Sequence, residues 1–148
     1  MNAIKIVLGL TAALTLGSCT MMNKPTTYTF KHKAIEADPA AAGVASVSLG
    51  NAGMSTTTLT LSGLTPGKAY ISHYHAFGPA SSNDPCASNG PVTVGFPNFT
   101  ADAMGMATTV LSTDMAKIAG DAGAYINVHY ASDPSTIPIC APIKMVKG

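Results

Sequence analysis

The sequence predicts an all-β domain, an antiparallel sandwich of about eight strands. Three observations carry this. Short runs rich in Thr, Val, Ile and Leu recur along the chain, turn chemistry separates them, and only 10% of residues are charged while 47% are apolar. With 148 residues, the chain suits one domain that can bury its own core.

The strand candidates follow one another closely. "TYTFKHKAI" (27–35) alternates apolar and polar residues. "GVASVSLG" (43–50) and "STTTLTLSG" (55–63) are rich in β-branched residues, which suit a pleated, half-buried surface. "KAYISHYHAF" (68–77) carries two histidines. "PVTVGF" (91–96), "GMATTVLS" (105–112) and "AYINVHYA" (124–131) follow, and "IPICAPIKMV" (137–146) closes the series. "GNAG", "LTPGK" and "SDPST" supply turns between them. One stretch, "STDMAKIAG" (112–120), admits a short helix, with Ser112 or Thr113 as cap and Gly120 as stop. No internal repeat and no second domain is visible.

The first 18 residues stand apart from this pattern. Lys5 precedes an apolar run from Ile6 to Leu16, too short to span a bilayer as a permanent helix. It reads as a secretory signal. Its ending, "LGSC", resembles the bacterial lipobox, in which the cysteine is lipidated and becomes the first mature residue. The expected organisation is a lipoprotein signal over 1–18, a tether over 19–26 anchored through Cys19, and the sandwich over 27–148. That places the domain in a bacterial cell envelope, facing the periplasm and held to a membrane by lipid. The alternatives are an ordinary secretory signal or an uncleaved anchor. All eight basic residues are lysines, and once Lys5 is removed seven lysines face seven acids. A nearly neutral domain without arginine or a basic patch gives no support to nucleic-acid binding.

With Cys19 lipidated, Cys86 and Cys140 remain. In an oxidising compartment they have one possible intrachain pairing. It would close a loop of roughly 54 residues and contribute about 4 kcal/mol by loop entropy. The alternative is two buried free thiols.

The histidines carry the chemistry. His73 and His75 are two apart on a strand candidate, so they share a face, with Tyr74 on the other. Alone, this pair is either half of a chelate or two ordinary strand histidines. His129 lies in another strand candidate that antiparallel pairing could bring to the same face. Three imidazoles suit copper or zinc. His32 reads as a surface histidine. Asp84 and Asp133 each adjoin a proline in a turn, which explains an aspartate there. No Ser-His-Asp or paired-carboxylate arrangement is present for hydrolysis.

"LSGLTPGKAYISHYHAFG", "PCASNGP", "INVHY" and Cys140 together resemble the copper/zinc superoxide dismutase family over residues 44 to 143. The resemblance rests on the ordered set His-x-His, Cys, Gly-Pro, Val-His, Cys. It implies an eight-stranded Greek-key sandwich, one copper ion at His73, His75 and His129, and a Cys86–Cys140 disulfide. The departures are specific. Gly90-Pro91 runs directly into "VTVGFPNFTAD", so the bridging histidine and the zinc-binding loop are missing and the zinc site is expected to be absent. Ile137 occupies the place of the family's late arginine. Losing that arginine removes electrostatic steering of superoxide. The expectation is a copper-binding lipoprotein with weak or no dismutase activity, acting as a copper carrier or buffer. Its expected partners are superoxide or a protein that donates or accepts copper.

A second resemblance overlaps the first. "GPVTVGF" and "AGDAGAYINVHYASDPS" are similar to the chordin-type domain, which shares the sandwich, a His-x-His strand and an Asn-Val-His strand. Its last strand normally contains Glu-Ile-Arg-Gly, where this chain has "IPICAPI". This resemblance implies the alternative function, a metal-free structural or interaction module.

Overall fold

The computed structural model describes residues 24–33, 37–78, 84–118 and 123–143. The leader, Cys19 and most of the 19–26 tether lie outside the described residues. Ten strands are present among the described residues: β1 (Thr26–Thr29), β2 (Lys31–His32), β3 (Ala42–Leu49), β4 (Met54–Ser62), β5 (Ala69–Ala76), β6 (Val92–Gly95), β7 (Phe99–Thr100), β8 (Ala107–Asp114), β9 (Ala124–Tyr130) and β10 (Ile139–Ile143). They form two antiparallel sheets. One has the order β1-β3-β4-β8; the other runs β2-β10-β9-β5-β6, with β7 also paired to β5. The chain is an all-β sandwich, as the alternating pattern predicts.

All eight strand candidates are present. The count rises to ten because the first splits and because β7 adds a short pairing. Thr26–Thr29 pairs with β3 in one sheet, and Lys31–His32 pairs with β10 in the other. Phe30, at the crossing, is 5% exposed and sits in the core. A buried aromatic between two short pairings carries the chain from one sheet to the other.

The helix expected over 112–120 is not formed across its described residues, 112–118; Gly120 lies outside them. Ser112, Thr113 and Asp114 continue β8 opposite Thr56, Ser55 and Met54 of β4. Among the described residues one 3₁₀ turn follows, Met115–Lys117, with Asp114 accepting from the Ala116 amide at 2.9 Å. The β4 ladder satisfies the backbone groups that a helix would have used, and Thr113 is turned inward.

The core lies between the sheets. β4 alternates as a strand with one buried face should: Ser55, Thr57, Leu59 and Leu61 are buried, and Met54, Thr56 and Thr60 are exposed. Tyr70, Ser72 and Tyr74 of β5 and Ile126 and Val128 of β9 meet them from the other sheet. Tyr74 Oη shares a 2.7 Å hydrogen bond with Thr57 Oγ1 across the core. β9 breaks the alternation. Six of its seven residues are buried, so its second face is also covered. That cover forms the site.

Candidate metal centre

Antiparallel register decides which side chains converge. β5 and β9 pair with Ile71 opposite His129, His73 opposite Asn127 and His75 opposite Tyr125. Opposed residues project to the same face. Since Tyr70, Ser72 and Tyr74 fill the core, the histidines face the other way. Even so, His75 and His129 are only 8% and 6% exposed, and His73 is half-buried.

Two chain segments cover them. The first is 84–91, pinned by the Cys86–Cys140 disulfide, whose Cα atoms are 6.0 Å apart. Cys86, Cys140 and Tyr125 form a small apolar cluster beneath it. Its Gly90 carbonyl accepts from His75 Nδ1 at 3.0 Å and from Tyr125 Oη at 3.3 Å. Tyr125 stacks on the His75 ring, centroids 4.8 Å apart. Gly90 makes this approach possible, because a Cβ there would lie 1.6 Å from the Ala76 carbonyl oxygen. The second segment is the turn after β9. Its Pro134 carbonyl accepts from His129 Nδ1 at 2.6 Å. Asp133 shapes this turn by accepting from the Ser135 amide and from both the Ser135 and Thr136 hydroxyls.

These bonds fix which nitrogens are free. Nδ1 of His75 and of His129 must carry a proton to donate to a carbonyl, which leaves each Nε2 as a lone-pair donor. Both Nε2 atoms are buried and lack a hydrogen-bond partner, as does His73 Nδ1. The Cδ2 edge of His73 lies over Gly95, where an added Cβ would be 3.3 Å away. One ring nitrogen from each histidine lies within 4.8 Å of the others. The ring centroids form a triangle of 5.3, 5.9 and 6.2 Å. Two lone pairs set by carbonyl bonds, with a ring nitrogen of His73 within reach of both, could hold a metal ion. The residue set is that of the sequence reading, and β5–β9 pairing brings its members together. His32 is exposed and apart, its Nε2 donating to the Asp38 carbonyl at 3.1 Å.

The CHRD domain family model matches residues 27–136, from β1 through the turn that holds His129. The chain belongs to the CHRD domain family. Of the two resemblances, the chordin-type one is supported, and no match to the superoxide dismutase family accompanies it. A search of curated proteins returns no match. The CHRD match ends before β10, so Cys86 lies within the matched region and its disulfide partner Cys140 lies beyond it.

Electrostatics keep the site of this CHRD domain ready for a cation. Burial lowers all three histidines below the ordinary value of 6.5. Repulsion among the rings, should they protonate, adds to this at His73 and His129, and the charge of Lys33 adds to it at His75 and His129. The carbonyl bonds from Gly90 and Pro134 oppose it. At neutral pH the rings are neutral ligands, as metal binding requires. The sign for stability follows. The unfolded chain takes up protons near pH 6.5, where the native histidines do not, so the unfolded state binds more protons and stability falls as the pH is lowered. Metal-free protein therefore melts at progressively lower temperature from pH 7 down through 6.5 and below, until the native histidines protonate. Calorimetry across pH 7.5 to 5 checks this. A Tm independent of pH there would contradict the buried, neutral trio.

The sequence reading missed the supporting groups: Tyr125, Asn127 and the carbonyls of Gly90 and Pro134. Strand parity was the available signal for two of them, since Tyr125 and Asn127 share a face with His129. The carbonyls carry no sequence signal.

Proposed function

We propose that this CHRD domain is a copper-binding module of the bacterial cell envelope, acting as a copper carrier or buffer with weak or no superoxide dismutase activity. The supporting observation is the set of three buried, partnerless imidazole nitrogens, two of them oriented by carbonyl bonds at the opposite ring nitrogen. An all-imidazole donor set favours copper over the other divalent first-row ions. Copper bound there would supply one-electron chemistry, and His73, His75 and His129 would hold it. The neighbouring pairings β4–β8 and β5–β9, non-consecutive in sequence, support Greek-key winding like that of the dismutases.

Titrating copper into metal-free domain should give one equivalent bound, lost when all three histidines are changed to alanine. Superoxide consumption by the loaded protein should fall well below the diffusion ceiling. No uptake would leave the metal-free structural or interaction module as the function. A rate near the ceiling would overturn the carrier reading.

The leader supports a lipid anchor at Cys19, which would place the copper site at a membrane surface facing the periplasm. Mass spectrometry of the membrane fraction should find the chain beginning at an acylated Cys19. A soluble product retaining Met1 would end this reading.

A further inference from the structure

The trio is not the full polar inventory of its face. Asn127 is 4% exposed, and its side-chain oxygen is buried with no hydrogen-bond partner. It stands directly opposite His73 across the β5–β9 ladder and two residues before His129 on the same face. It is diagonal to His75, whose opposite residue is Tyr125. On its other side it faces Cys140 of β10, half of the disulfide. Asparagine is disfavoured inside strands, and a buried amide oxygen without a donor is a net cost to the fold. His73 Nδ1, on the residue directly across the ladder, is itself without a partner, so the two do not satisfy each other. An amide oxygen only accepts. What would satisfy Asn127 is a proton donor brought to this face with the ion.

We propose that Asn127 determines which small molecule joins the three histidines at the ion: its oxygen accepts a hydrogen bond and thereby selects a protic ligand, water first, over aprotic anions. This rests on the copper-binding reading of the trio. Three imidazoles leave copper(II) short of its preferred tetragonal set, so a ligand from solution must complete it. An unpartnered oxygen acceptor on the face that ligand would enter would reward one that carries a proton. It repels one that presents only lone pairs, such as azide. Asn127 is thus a specificity-determining residue and not a fourth protein ligand.

The test is azide titration of copper(II)-loaded protein, followed by visible absorption and electron paramagnetic resonance, with Asn127→Leu, Asn127→Ala and Asn127→Asp beside wild type. Asn127→Leu and Asn127→Ala should still bind one copper and should take azide roughly tenfold more tightly, the scale of one hydrogen bond. Asn127→Ala keeps the test open if the larger leucine does not fold. Asn127→Asp keeps an acceptor and should bind azide no more tightly than wild type. Equal azide affinity in wild type and both apolar variants overturns the proposal while leaving copper binding intact. A wild type that takes up no copper removes the parent reading instead, and this one with it.

Discussion

Changing His73, His75 or His129 to alanine should lower copper affinity by more than the ~10–100-fold that loss of an outer-shell partner costs. Each ring supplies one of only three protein nitrogens, so its loss leaves two donors, further short of the tetragonal set that copper(II) prefers. The metal-free variants should keep their fold. The histidines face away from the main core, and each substitution also removes a buried nitrogen that lacks a hydrogen-bond partner. That relief offsets part of the volume lost. The three need not respond equally. His75 and His129 are held at Nδ1 by carbonyls, whereas His73 Nδ1 has no protein partner. Copper affinity by competition with a chelator, read beside thermal unfolding, separates loss of a ligand from loss of fold. A triple-alanine protein that retained wild-type affinity would remove the site.

Removing the disulfide has the second large effect, on both stability and the site. Cys86→Ser with Cys140→Ser should destabilise the domain by about 4 kcal/mol, the loop-entropy value for the 54-residue separation. For a domain of this size that is a Tm lower by roughly 15 °C. The effect on copper follows from geometry. The bond holds the segment whose Gly90 carbonyl orients His75 and engages Tyr125. Freed at Cys86, that carbonyl is no longer fixed and His75 loses its preset tautomer, which should lower affinity by ~10–100-fold. Melting and copper competition on reduced wild type and on the double serine variant should agree. Unchanged affinity after reduction would show that the hydrogen bonds between Gly90 and Tyr125 hold the segment without the bond.

Much of this was legible in the chain. The β-branched run "STTTLTLSG" read as a strand, and β4 forms there with one face on the core and the other to solvent. Parity alone put His73 and His75 on one face. Where the reading failed, the competing principle can be named. A capped, Gly-stopped pattern over 112–120 resembled a helix, but the β4 ladder claimed residues 112–114 first. "TYTFKHKAI" read as one strand, but buried Phe30 divides it between two sheets.

The sequence by itself determined the all-β class, the strand positions, the two cysteines available for pairing, and the three histidines with their spacing. These depend on local periodicity and residue chemistry, which one chain displays. Only the tertiary structure decided that β5 lies beside β9 in the register that sets His73 opposite Asn127, and that Gly90 and Pro134 turn their carbonyls onto Nδ1 of His75 and His129. Register between strands so far apart in the chain depends on packing of both faces together, and a backbone carbonyl has the same chemistry in every residue. Neither is written in the side chains that a sequence lists.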